Sequence, residues 1–332
     1  MHISNLPRQI VRSTIKSIMD KHTTWCDIVL EGGGVKGIGL VGAIEALTKK
    51  GYGVRRVAGT SAGAIVGSLV AAGMPTAQLI QTMQSLDYTK FRDKSWLAQF
   101  GTVGEAASIV LTKGIYKGDY LRTWLAGQLE SLGVRTFADL KLTEPWAEAL
   151  PPEQRYKLVV VVSDISQGRM LRLPWDYAKY GLDPDQQLVA EAVRGSMSIP
   201  FFYQPAHLKD SYLVDGGLLS NFPIDLFDTT ADWPTFGIKL SAKPEPGAIP
   251  NSTHGIVNYS KAILSTATNA HDQMHIDDPC TLRRTIFVDT GKITATNFDI
   301  TPAQQQFLYH SGQTAGAKFL QTWDFADYKK TC

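Results

Sequence analysis

Three short runs hold the residue types that chemistry at a carbonyl or phosphoryl centre needs. The first is Gly59-Thr60-Ser61-Ala62-Gly63, a G-x-S-x-G pattern. Set between a strand and a helix, such a run turns a sharp corner and lifts the serine hydroxyl clear of the backbone. Gly59 and Gly63 leave room for the corner, and the dipole of the following helix favours an alkoxide on Ser61. The second run is Gly32-Gly33-Gly34-Val35-Lys36-Gly37. Glycine amides at a helix start can hold a phosphate, or an oxyanion that develops during acyl transfer. The same spacing fits the G-x-G-x-x-G of dinucleotide sites, which requires an acidic residue about 20 positions on. That region reads Val54-Arg55-Arg56-Val57-Ala58 and has no carboxylate. The third run is Val214-Asp215-Gly216-Gly217, whose glycines let the acid stand at a crowded site, although Asp-Gly is also a common turn dipeptide. A serine nucleophile needs a base. His207, His254, His271, His275 and His310 follow Ser61 but occupy no clear strand-end motif, so Asp215 is the better candidate.

The elements that must position these runs alternate. Strands are predicted over 27–30, 54–58, 157–164, 235–240 and 285–289, with an edge strand at 169–173. The run KLVVVVSD is apolar and β-branched, as a strand buried on both faces should be. Helices are predicted over 8–21, 38–50, 64–73, 75–86, 120–132, 188–197, 254–276 and 302–323. Residues 87–118 read as an irregular surface excursion, and 241–253 as a loop. This alternation predicts an α/β three-layer sandwich: a mostly parallel central sheet, helices on both faces, and the serine corner after an early strand.

The chain has 332 residues, 44% of them apolar and 19% charged, a globular composition with length enough for a large core. Lys and Arg number 33 against 31 Asp and Glu, a net charge of +2, which argues against wholesale nucleic-acid binding. Cys26, Cys280 and Cys332 are too few and too scattered for a disulfide framework or a thiolate zinc site. They suit a reducing, cytoplasmic setting, with Cys26 as a small buried hydrophobe. No signal peptide is visible, and the apolar stretch 57–74 is interrupted by four glycines. The expected division is an N-terminal amphipathic helix within 1–25, a catalytic domain over 26–325 and a C-terminal tail at 326–332. The first helix carries Arg8, Arg12 and Lys16 on one side; packing on its own domain is favoured over lying on an anionic membrane. His271 and His275 have the i, i+4 spacing of zinc helices but lack the glutamate of H-E-x-x-H and a third ligand, so no metal is expected.

The glycine loop, the serine corner and the later Asp-Gly-Gly together resemble the three signatures of the patatin-like phospholipases. KGDYLRTWL, TFADL, KLVVVVSDIS, AEAVRGSMSIPFFYQPA and VDGGLLSNFPID extend the likeness over nearly the whole chain. One departure is Glu31 where that family often has aspartate before the loop. The resemblance implies a Ser–Asp dyad without histidine, with Ser61 as nucleophile and Asp215 as general base. It implies an oxyanion-hole loop of Gly32, Gly33, Gly34 and Gly37, and no cofactor. The substrate would be a phospholipid or other lipid ester, met at a peripheral membrane surface, and the activity that of a phospholipase A or lysophospholipase. Some members of the family stay silent until a protein or small-molecule activator binds. Lys36 and Arg194 are candidate contacts to a phosphate headgroup. The alternatives are a catalytically silent lipid-binding or scaffold protein on the same fold, and a dinucleotide-binding oxidoreductase.

Overall fold

The computed structural model describes residues 24–228, 232–240 and 278–332. Its first half runs β1 (Thr24–Leu30), α1 (Ile38–Lys49), β2 (Tyr52–Thr60), α2 (Ala62–Ala71), α3 (Thr76–Gln84), α4 (Gly101–Thr112), β3 (Gly114–Tyr116) and α5 (Asp119–Ser131). Then come β4 (Leu158–Asp164), β5 (Arg169–Leu173), α6 (Val189–Ser196), β6 (Phe201–Tyr203), β7 (Ala206–Leu208), β8 (Ser211–Asp215) and β9 (Thr235–Lys239). The described chain closes with α7 (Pro279–Arg283), β10 (Thr285–Phe287), α8 (Pro302–Thr322) and α9 (Phe325–Thr331).

The main sheet has the order β10-β9-β1-β2-β4-β8-β7, with β5 also paired to β4. Pairing is parallel from β10 through β4 and antiparallel where β5, β8 and β7 join. Every residue of β4 is buried, as a strand covered on both faces requires. Helices α1, α3 and α8 pack together, and α2, α5 and α6 form a second group that reaches β2 and β4. The expected three-layer α/β fold is therefore present. Register does the positioning: Thr60 pairs with Val161 and Asp215 with Val162. Neighbouring rungs of β4 thus bring Ser61 and Asp215 to one end of the sheet, although 154 residues separate them in the chain.

A buried ion pair ties β1 to β2. Arg56 donates through Nε to Asp27 Oδ2 at 3.0 Å and through its backbone N–H to Oδ1 at 3.1 Å. Its guanidinium also lies 4.5 Å from the Phe227 ring centroid. Burial pushes the Asp27 carboxyl above its ordinary pKa, and Arg56 opposes that rise. Removing one partner strands the other without compensation. Arg56→Met is expected to cost about 3–5 kcal/mol in a urea titration.

Several expectations need correction. The excursion at 87–118 contains α4 and β3. Gly101 and Gly104 weaken the helical signal there, and apolar side chains lie on the solvent face, the reverse of the usual pattern. The short strands β6, β7 and β8 are additional. The stretch expected as a tail is α9. Cys280 and Cys332 are disulfide-bonded across a sequence separation of 52, contrary to the expected reduced thiols. Their pairing follows from α9 returning to pack on α7, which spacing does not reveal. Cys26 is free and buried. The helices expected at 8–21 and 254–276, the loop at 241–253, and His271 and His275 lie outside the described residues.

Candidate active site

Ser61 stands between β2 and α2 with φ 53° and ψ −122°. An L-residue rarely adopts this backbone, and such strain persists where the surroundings impose it. The flanking glycines show how. A Cβ on Gly59 would stand 2.3 Å from the Gly63 carbonyl oxygen, and one on Gly63 would stand 2.3 Å from that of Leu30. The corner can close only with glycine at both positions. The Ser61 amide donates to Ser196 Oγ at 2.9 Å, and Ser196 Oγ donates onward to the Val161 carbonyl at 2.6 Å. The Ser61 hydroxyl donates to Met197 Sδ at 3.3 Å.

Asp215 ends β8 and is buried. Its backbone N–H donates to the Ser198 carbonyl at 2.9 Å, and its Oδ1 accepts the Gly217 amide at 2.8 Å. Loss of solvation raises the carboxyl from its usual 3.8 to about 6, against the opposing pull of the Gly217 amide and the Ser61 hydroxyl. A carboxylate that titrates near neutrality is suited to take a proton from a hydroxyl. The stretch Ser196–Met197–Ser198 therefore serves both sides: it holds the Ser61 amide, meets its hydroxyl and anchors Asp215.

The glycine loop lies alongside. A Cβ on Gly32 would stand 3.1 Å from Ser61 Cβ and 2.2 Å from Asn221 Oδ1. The Gly32 amide donates to the Asn221 carbonyl at 3.1 Å, and Asn221 Nδ2 donates to the Gly32 carbonyl at 3.2 Å. Gly34 takes φ 55°, and a Cβ there would stand 2.0 Å from the Ala295 carbonyl oxygen, which accepts the Val35 amide at 3.0 Å. Gly37 ends the 3₁₀ turn Gly34–Gly37, where a Cβ would lie 3.3 Å from that of Ala62. Among the described residues the amides of Gly33 and Gly34 meet no acceptor.

The two basic candidates turn inward. Lys36 is half-buried, donates to the Leu240 carbonyl at 3.1 Å, and burial lowers its pKa. Arg194 is buried and donates to Ser198 Oγ, to the Lys117 carbonyl and, at 2.8 Å, to the Gln204 carbonyl. These bonds make it a brace for the Ser196–Ser198 stretch. Glu31 is bonded to Lys239 Nζ and the Leu240 amide. The described histidines are engaged elsewhere, His207 against Tyr212 and His310 with Gln313. Among the described residues no cluster of His, Cys, Asp and Glu could hold a metal, and no helix is long and apolar enough to cross a membrane. Sequence reasoning missed Ser196, Ser198 and Asn221 as supports; only their place in the GSMS and SNFP runs could have signalled them.

The sheet, the strained serine corner and the adjoining glycine loop define a class of α/β protein that presents a hydroxyl at the carboxyl ends of parallel strands. Within that class the chain belongs to the patatin-like phospholipase family, whose model matches residues 28–228. It is 35% identical over 305 residues to the uncharacterized protein YqhO of Bacillus subtilis, covering 91% of this chain and all of that one. It is 26% identical over 227 residues to the lysophospholipase nte1 of Emericella nidulans, covering 68% of this chain and 12% of that much longer protein. The crystal structure of VipD from Legionella pneumophila shares the fold, with a TM-score of 0.53 at 20% identity, over 91% of this chain and 67% of that one.

Proposed function

We propose that this protein is a lipid acyl hydrolase of the phospholipase A or lysophospholipase type, with Ser61 as nucleophile and Asp215 as its base. What carries the reading is the strained Ser61 corner beside a buried carboxyl that titrates at about 6. Membership of the patatin-like phospholipases and the lysophospholipase relative support the choice of substrate.

In this reading Asp215 takes the Ser61 proton as Oγ attacks the ester carbonyl. The carbonyl π electrons move to oxygen, and the amides of Gly33 and Gly34 receive that oxyanion; one such donor is worth about 2.7–4 kcal/mol. Collapse breaks the bond to the alkoxy group, which leaves as lyso-lipid or alcohol with the proton held by Asp215. Water, deprotonated by Asp215, then attacks the acyl-enzyme and releases the fatty acid and Ser61. Before attack the proton that the Ser61 hydroxyl shares with Met197 Sδ is directed to Asp215 by rotation about the Cβ–Oγ bond. The catalytic unit is read as residues 26–325.

The test is product analysis by mass spectrometry on mixed phospholipids, with fluorophosphonate labelling alongside. Free fatty acid and lyso-lipid are expected from the wild type. Both products and the label should vanish in Ser61→Ala. Labelling that survives the substitution would remove Ser61 from the role. A folded wild type without turnover would leave the silent lipid-binding reading.

A further inference from the structure

We infer that α4 is a membrane-docking helix that seats the enzyme on an anionic lipid surface. The proposed lipid hydrolysis supplies the choice of occupant. Trp96 is 66% exposed, Phe100 71%, Val103 80%, Val110 78% and Leu111 66%. Half of the large exposed hydrophobic side chains among the described residues thus fall in one segment of sixteen residues. Phe100, Val103, Val110 and Leu111 are spaced to share one helical face. The opposite side is fixed by polar bonds: buried Ser108 Oγ lies 2.7 Å from buried Ser95 Oγ and 2.7 Å from the Gly114 carbonyl. The helix is held inward by these bonds and by Ile109 against the core, and is apolar outward, which serves an interface with an apolar phase.

Charge selects the lipid surface. Between residues 90 and 117 the chain has five basic residues and two acidic ones. Glu105 pairs with Lys94, Arg92 with Asp299 and Lys90 with Asp87, and Asp93 is occupied by the Gly118 and Tyr120 amides, which leaves the two lysines at the end of the helix. Lys113 and Lys117 are exposed and have no ion pair among the described residues. An apolar stripe flanked by lysines is the pattern of helices that lie in the headgroup plane of anionic membranes.

The patch is also linked to the site through the β3–β6 pair. From α4 the chain passes through Lys113 into β3, where Gly114 pairs with Phe201 of β6. Phe201 is itself exposed, and it follows Met197, the residue that meets the Ser61 hydroxyl, by four positions. Docking through α4 would hold the serine corner near the lipid surface.

The test is flotation of the full chain with phosphatidylcholine vesicles, with and without phosphatidylserine. The wild type should float with the anionic vesicles and less so at high salt. Phe100→Ser combined with Val110→Ser should lower the partition at least about tenfold. The double variant should keep the wild-type Tm and its turnover of a water-soluble short-chain ester. Wild-type behaviour of the double variant, or no wild-type binding, overturns the inference. So does a wild-type dimer that the double variant dissolves, since a second copy would then own the face. Ser61→Ala should float like the wild type. Flotation lost in the double variant while no protein hydrolyses lipid would retain the docking helix and reject the hydrolase.

Discussion

Asp215→Asn is expected to abolish ester hydrolysis and, at neutral pH, to stabilise the fold. The asparagine keeps an oxygen for the Gly217 amide, which Asp215 Oδ1 now accepts at 2.8 Å. It cannot take a proton from Ser61, so turnover should fall by about 10⁴-fold or more. The stability gain comes from the same burial that raises the Asp215 pKa. In the unfolded chain this carboxyl titrates near 3.8, and in the folded protein near 6. The folded state therefore prefers the protonated acid. Below about pH 3.8 that preference is fully expressed as stability, and it is lost as pH rises through about 6. At neutral pH the ionised carboxylate costs up to about 3 kcal/mol, since each pKa unit is about 1.36 kcal/mol. The Asp215→Asn advantage should appear in urea titrations at pH 7 and shrink toward pH 4. Wild-type kcat/KM should rise with pH to a plateau above about 6, because only the carboxylate accepts the proton. A variant less stable than wild type at pH 7, or a wild-type profile flat from pH 5 to 8, would contradict the assignment.

The second large effect separates two ways of removing the same hydroxyl. Ser61→Ala and Ser61→Gly should both abolish turnover, yet Ser61→Gly should be the more stable. Ser61 is held at φ 53° and ψ −122°, a backbone that alanine would tolerate no better. Glycine relieves strain of about 1–3 kcal/mol. Against this, glycine gains about 0.4–1 kcal/mol of freedom in the unfolded chain. The strain term is the larger, so a net difference of about 1 kcal/mol in favour of Ser61→Gly is expected from thermal unfolding. Equal stabilities would mean that the corner is not strained.

The tight backbone corners at Ser61 and Asp215 were legible in the sequence because close backbone approach demands glycine, and glycine leaves a pattern beside both. The β-branched run of β4 and the early strands were legible because a strand buried on both faces must be apolar throughout. The supports were not. Ser196 and Asn221 act through hydrogen bonds to residues far away in the chain, and nothing in their neighbours distinguishes them from ordinary surface polar residues. Arg194 looked available because a charge in sequence carries no direction; the fold turns it onto three internal acceptors. Helix α4 escaped because periodicity arguments assume that apolar residues face inward.

The match to the family model ends at residue 228, but the glycine loop is shouldered by residues beyond it. Strand β9 flanks β1, Ala295 receives the Val35 amide, and α8 meets α1 so closely that a Cβ on Gly312 would stand 2.0 Å from the Gly39 carbonyl oxygen. A fragment cut at the family boundary would therefore keep Ser61 and Asp215 and lose the scaffolding of the loop between them. Expression of such a fragment would yield a protein with an intact signature and no working cradle, so the smallest unit worth carrying into further work extends through the closing helices.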